Sequence, residues 1–392
     1  MSRRRVVVTG MGVVAPCGIG LDAYWRGLLS TPQPGIRQID DFDPTPYFDN
    51  SKEVRRTDRF AQLGLAAAAM ALEHAGDLKA DPRRIGVNIA TGVGGLGTLE
   101  EQIIVNHEKG SRRVSPFLVP MMMSNAASAA VSMRYGFQGP CETTVTACAA
   151  STHSIGAAMR YLRWDMVDVM IAGGAESSLT PTALAGFGNM TALTRSGISR
   201  PFDAERDGFA IAEAGGVVVL EELEHAKARG ATIYGEILGA GNSADAYHIT
   251  APSPGGSGAV ACMEMALADA GVTKADIAHI NAHGTSTPLN DAAEAEAISK
   301  LFGPRRPAVT STKGVTGHAL GAAGAIEAIA VLLAMGHRLI PPTACTTKVD
   351  PNLDQIDLVL GDPRPWEPAI SLSNSFGFGG HNGSLVIAPA PS

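Results

Sequence analysis

Four short stretches of the chain carry residue types that can do chemistry. The first is TVTACAAST, which holds Cys148 between a strand-like TTVT and an Ala-rich helical run. A cysteine at a helix N-terminus meets free N–H groups and the positive end of the macrodipole, so its pKa is expected to fall. The thiolate is the form that attacks thioesters. A cysteine taken alone is more often a small buried apolar residue, and that is the reading for Cys17, Cys141, Cys262 and Cys345. The second stretch is INAHGTSTP, with His283 at a strand end, Thr285 and Thr287 beside it, and Pro288 opening a helix. The third is STKGVTGHALGAAGAIEA, with His318, Lys313 five positions earlier and Glu327 nine positions later. The fourth is NSFGFGGHNGS, in which four glycines let backbone N–H groups approach a ligand and face a developing oxyanion. Taken singly, each motif also reads as ordinary structure: a capped loop, a satisfied histidine, a solvated lysine. Together they form a nucleophile with polarising groups around it.

Something must bring these stretches together. Short β-branched runs at 5–9, 85–90, 167–172, 216–221, 277–282, 308–312, 369–373 and 384–388 read as strands. Ala-rich stretches at 58–75, 149–163, 258–270, 288–301 and 320–335 read as helices. Their alternation predicts an α/β fold with buried sheets, and the motifs fall after separate strands that can converge on one cleft. The element order runs twice, which divides the chain into halves 1–232 and 233–392, with the charged helix in VVVLEELEHAKARGA at the boundary.

Composition narrows the function classes. With 45% hydrophobic and 18% charged residues the chain can bury a large core. The net charge of −7 gives the whole protein no electrostatic reason to bind nucleic acid. Five cysteines at wide spacing, without a CxxC, indicate neither a disulfide framework nor a zinc site and fit a reducing cytoplasm. The apolar start VVVTGMGVVAPCG is broken by Gly10, Gly12 and Pro16 and reads as a buried strand, not a signal peptide. The stretch Ala319 to Met335 contains Glu327 and is too short and polar for a membrane span.

On these motifs, with SRPFDAERDGFAIAEAGG and SADAYHITAPSP, the chain resembles the β-ketoacyl-acyl-carrier-protein synthases, thiolase-fold condensing enzymes. The likeness runs from near residue 5 to near 386 and is greatest to the chain-elongating synthase II type of bacterial fatty-acid synthesis. It implies duplicated βαβαβαββ halves in an α-β-α-β-α layering. It implies that Cys148 carries the acyl chain, and that His283 and His318 bind the malonyl thioester and promote its decarboxylation. The N–H groups of Cys148 and Phe378 resemble an oxyanion hole, and Phe378, with Phe376 nearby, resembles a gate. Lys313 and Glu327 resemble a charged pair that orients His318. Thr285, Thr287 and Thr250 resemble contacts of the pantetheine arm, and Leu99 stands at an acyl-pocket gate position. No metal or organic cofactor is implied for the chemistry, because decarboxylation drives it and the pantetheine belongs to the carrier. Some members hold a structural monovalent cation, here near Asn281, Glu327 and Ser373.

The resemblance also implies partners. Lys52, Arg55, Arg56, Arg112, Arg113 and Arg195 match positions that dock the acidic acyl-carrier protein. A homodimer is expected, with the apolar residues of 115–135 near its twofold axis. His381 stands where threonine is commoner, and the segment before KEVRRTDRF is about a dozen residues shorter than usual. Three other readings stay open: a discrete polyketide-type ketosynthase, thiolase chemistry on coenzyme A, and a non-catalytic chain-length partner. HGTST speaks against the first, the lack of a second motif-borne cysteine against the second, and the presence of Cys148, His283 and His318 against the third.

Overall fold

The computed structural model describes residues 3–353 and 355–391. Ten strands frame it: β1 (Val6–Ala15), β2 (Ile85–Ala90), β3 (Cys141–Glu142), β4 (Val169–Glu176), β5 (Ala214–Glu222), β6 (Gly235–Ala244), β7 (His279–Asn281), β8 (Ala308–Thr310), β9 (Ser371–Gly377) and β10 (His381–Pro389). The helices that bear on the site are α1 (Arg59–Ala75), α2 (Leu96–Lys109), α3 (Ala126–Tyr135), α4 (Ala150–Arg163), α5 (Ser257–Ala270), α6 (Pro288–Phe302) and α7 (Ala323–His337). Every strand and helix expected from the sequence is present, with ends shifted by a few residues. Strand β6 was not legible because GEILGAGNSA is rich in glycine and short of β-branched residues, and β3 because it is two residues long.

The strands lie in the order β8-β7-β9-β10-β6-β1-β5-β4-β2-β3. From the centre outward each half makes two antiparallel and then two parallel pairings. The first half runs β1-β5-β4-β2-β3 and the second β6-β10-β9-β7-β8. The halves join where β1 pairs antiparallel with β6, through Val7↔Glu236 and Val8↔Gly235. Each half thus reads βαβαβαββ, the duplicated thiolase-like arrangement.

The layers follow from which faces are apolar. Helices α1 and α3 cover the outer face of the first half-sheet, and α5 with α6 covers that of the second. Helices α4 and α7 pack on each other between the half-sheets and close the five-layer stack. The outer helices approach closely because the first strand of each half is glycine-bearing. A Cβ on Gly12 would lie 2.0 Å from the Ala67 carbonyl in α1, and one on Gly241 would lie 2.1 Å from the Cys262 carbonyl in α5. Cys262 is therefore a packing residue. Leu320–His337 is long and apolar enough to cross a membrane, but 83% of it is buried inside the protein, where α7 forms the central layer.

Candidate active site

The duplicated unit places its functional loops in equivalent positions. In the first half, β3 leads to a tight turn at Ala147–Ala149 that holds Cys148 and feeds α4. In the second, β8 leads through Lys313 and His318 to a turn at Leu320–Ala322 that feeds α7. Each turn begins with a non-glycine residue at positive φ, Ala147 at 49° and Leu320 at 42°. Such residues cost on the order of 1–3 kcal/mol each and persist only when their surroundings hold them. One holder is Glu176 at the end of β4. Its carboxylate accepts the N–H groups of Gly92 at 2.6 Å and Gly321 at 3.2 Å, and the Ser178 hydroxyl at 2.9 Å. Burial pushes this carboxyl up to about 7, against those hydrogen bonds.

The Cys148 sulfur and a ring nitrogen from each of His283 and His318 all lie within 4.8 Å of one another, and all three residues are buried. His283 is delivered by β7, and Glu294 on α6 fixes it by accepting its N–H at 2.8 Å and that of Gly284 at 2.7 Å. The His318 N–H donates to the Ala210 carbonyl at 2.8 Å, and its ring stands edge-on to Phe209, centroids 4.9 Å apart. Burial, with the nearby Lys313 charge, holds both imidazoles well below the usual histidine pKa, so both are neutral at pH 7. Burial also pushes the Cys148 thiol up to about 11, although the Lys313 charge and the Phe378 N–H pull it down. This corrects the expected fall. At the floor of a closed site, loss of hydration outweighs the favourable end of a helix. The resting group is a thiol, and the neutral imidazoles beside it can take its proton.

Lys313 is fully buried, which removes the reading of a solvated turn lysine. Its ammonium pairs with Glu327, donates to the His283 carbonyl at 2.6 Å and lies 3.4 Å from His283 Nδ1. The pair therefore supports His283, not His318 as the resemblance implied. Beneath it, Asn281 Nδ2 donates to Ser373 Oγ at 3.3 Å. Asn281 Oδ1 and Glu327 Oε2 are buried without a hydrogen-bond partner among the described residues. A carboxylate, an amide oxygen and a hydroxyl form a hard donor set, so these residues fit the implied structural cation.

The glycine-rich stretch is the turn between β9 and β10. A Cβ on Gly377 would lie 2.9 Å from the Cys148 nitrogen, so glycine lets the turn lie against the cysteine. The Phe378 N–H lies near enough to the Cys148 sulfur to favour its thiolate. Two backbone donors, from Cys148 and Phe378, thus flank the place where a thioester oxygen would gain charge. All this opens into a cavity of about 830 Å³, lined by Cys148, His283, His318, Phe376 and Phe378 around the chemistry. Thr250, Thr285, Thr287 and Arg195 also line it.

Some expected residues lie elsewhere. Leu99 is half-buried on α2 and does not line the cavity; that helix's first turn is held to Asp58 through Thr98. Lys52, Arg55, Arg56, Arg112 and Arg113 are exposed but also away from the cavity wall. The Arg56 guanidinium lies 4.2 Å above the Phe117 ring, which links the 52–56 segment to the segment following Arg112 and Arg113. The motifs did not single out Glu176, Glu294 and Phe209. Glu294, inside NDAAEAEA, reads as a surface helix acid until α6 is seen to be buried on that face.

A duplicated thiolase fold with a cysteine and two neutral histidines meeting at the loops that feed its central helices defines a condensing enzyme of the acyltransferase class. Residues 32–226 match the description "Beta-ketoacyl synthase, N-terminal domain", and residues 234–347 match "Beta-ketoacyl synthase, C-terminal domain". The chain belongs to the beta-ketoacyl synthase family. It is 43% identical to 3-oxoacyl-[acyl-carrier-protein] synthase 2 of Synechocystis sp., over 99% of this chain and 98% of that protein. Among solved structures it is similar to the ishigamide ketosynthase/chain length factor, with a TM-score of 0.94 at 32% identity over 100% of both chains. It is also similar to a type II PKS acyl-carrier protein complex with its ketosynthase bound to the hexaketide, with a TM-score of 0.90 at 32% identity over 99% of this chain and 100% of that one.

Proposed function

We propose that the chain elongates fatty acids as a 3-oxoacyl-[acyl-carrier-protein] synthase of the synthase II type. The observation that carries this is the meeting of Cys148 with two neutral imidazoles and two backbone donors at the floor of one cavity. Cys148 passes its proton to an imidazole, and its sulfur attacks the acyl thioester. The Cys148 and Phe378 N–H groups receive the oxyanion, and the carrier thiol leaves with the proton. Malonyl thioester then enters with its carbonyl oxygen toward His283 and His318. Its carboxylate leaves as CO2, and the electron pair of the broken C–C bond forms the enolate. The enolate carbon attacks the acyl-Cys148 carbonyl and the C–S bond breaks; the departing thiolate takes up one proton from solvent, which restores the thiol. Lys313 and Glu327 hold His283, and Phe376 and Phe378 stand at the inner end of the cavity. Thr250, Thr285 and Thr287 are placed along it for the pantetheine arm. No cofactor is required of this protein in that sequence, and a cation held by Asn281, Glu327 and Ser373 would be structural.

The reading is tested by supplying malonyl-carrier with saturated C4–C16 acyl-carriers. The expected product is the 3-oxo chain two carbons longer, with one CO2 per turnover. Elongation of polyketide intermediates alone would move the chain to the type II polyketide branch, that of the similar ketosynthase bound to the hexaketide.

The partner in this reading is acyl-carrier protein, which the similar type II PKS ketosynthase binds. Arg195 stands at the cavity, and the exposed Lys52, Arg55, Arg56, Arg112 and Arg113 form a second cationic surface. In the same assay, joint Arg55→Glu and Arg56→Glu substitution is expected to raise KM for acyl-carrier about tenfold at constant kcat. An unchanged KM removes that surface from docking and leaves Arg195. We read the enzyme as a cytoplasmic homodimer. The edge strand β3 is exposed, with exposed apolar Val119, Met123, Met133 and Val145 on the segments around it. Gel filtration at monomer mass would reject the dimer.

A further inference from the structure

His153 lies on α4, five residues after Cys148, and only 7% of it is exposed. It does not line the cavity. Its ring bridges two segments. Nε2 is 2.9 Å from the Asn382 carbonyl oxygen, and Nδ1 is 2.8 Å from Thr146 Oγ1. A carbonyl oxygen only accepts, so Nε2 carries the proton; Nδ1 is then bare and accepts from the Thr146 hydroxyl. Burial, with His381 and Arg160 nearby, keeps the ring neutral.

The two partners are informative. Thr146 precedes Ala147, the positive-φ residue that presents Cys148. Asn382 follows the turn that presents Phe378, and its side chain donates to Asp245 at 2.7 Å. Glycine at 383 lets the ring lie against the strand, because a Cβ there would lie 3.0 Å from its Cδ2. We propose that His153 is a positioning residue that sets the separation of the two oxyanion donors, the N–H groups of Cys148 and Phe378, by gripping Thr146 and Asn382 with its two ring nitrogens. This inference rests on the proposed condensation. The donors serve acyl transfer to Cys148, whereas decarboxylation of malonyl thioester uses His283 and His318. A positioning role therefore separates the two half-reactions, and a merely structural role does not.

The test measures single-turnover acylation of Cys148 by intact mass and decarboxylation of malonyl-carrier without an acyl primer. His153→Leu loses both hydrogen bonds, and acylation is expected to fall roughly 100-fold. Thr146→Val keeps the shape and loses one bond, for a fall of about tenfold. His153→Gln can donate to Asn382 from its amide nitrogen and accept from Thr146 at its oxygen, so it should recover most of the rate. Decarboxylation should stay within about twofold of wild type in all three. Unchanged acylation in Thr146→Val and His153→Leu overturns the inference, and so does decarboxylation that falls in step with acylation. If His153→Leu does not fold, Thr146→Val decides alone. A wild-type protein that takes no acyl group would overturn the condensation, and this inference with it. Wild-type acylation with unaffected variants overturns this inference only.

Discussion

Cys148→Ala is expected to abolish the acyl adduct seen by intact mass with C8–C16 acyl-carriers and to lower condensation by roughly 10⁴-fold or more, the scale of losing an enzyme nucleophile. Decarboxylation of malonyl-carrier should survive, because His283 and His318 remain. An adduct on the alanine variant would place the nucleophile elsewhere. The same cysteine carries a pH prediction. With the thiol pushed up to about 11, mainly by burial, the thiolate fraction at neutral pH is small and grows about tenfold per pH unit. Iodoacetamide labelling of the Cys148 peptide should therefore rise log-linearly from pH 7 to pH 9 without a plateau. A plateau below pH 8 would show that the helix end and Lys313 outweigh burial. Substrate acylation need not follow this slope, because the imidazoles can take the proton during attack.

Removing one member of the Lys313–Glu327 pair is expected to have the largest effect on stability. Both groups are buried, and Lys313→Met leaves the Glu327 carboxyl with neither its cation nor water. Breaking such a pair costs roughly 3–5 kcal/mol, read as a lower denaturation midpoint at constant m. The double variant Lys313→Met/Glu327→Leu should regain most of that stability, because two apolar groups need no hydration. It should not regain activity. The His283 carbonyl and Nδ1 have then lost the ammonium at 2.6 and 3.4 Å, and condensation should stay down roughly 100-fold or more. A double variant that is both stable and active would make the pair a packing feature with no part in orienting His283. One as unstable as the single variant would show that the loss comes from removing Lys313 itself and not from leaving Glu327 unpaired.

The sequence by itself determined the class of chemistry and the elements. Local periodicity placed every expected strand and helix, because apolar alternation and Ala-rich runs are properties of neighbouring residues. Motif strings placed Cys148, His283, His318 and the Phe378 turn, since each motif is a strand end, a glycine and a reactive group within a few positions. Only the tertiary structure decided how these groups behave. That His283, not His318, receives Lys313 depends on contacts 30 residues apart in the chain. That the Cys148 thiol is raised depends on burial, which no local string states. Glu176, Glu294 and His153 look like ordinary strand and helix residues until the half-sheets are closed around α4 and α7. Of their partners, Gly321 for Glu176 and Asn382 for His153 lie in the other half of the chain, and His283 for Glu294 lies on the strand end that α6 packs against. Charge and hydrogen bonding inside a low-dielectric interior are set by what the fold brings near and by how much water it excludes. Residue type and spacing can name the reacting groups, but their proton affinities and the distances between them belong to the folded chain.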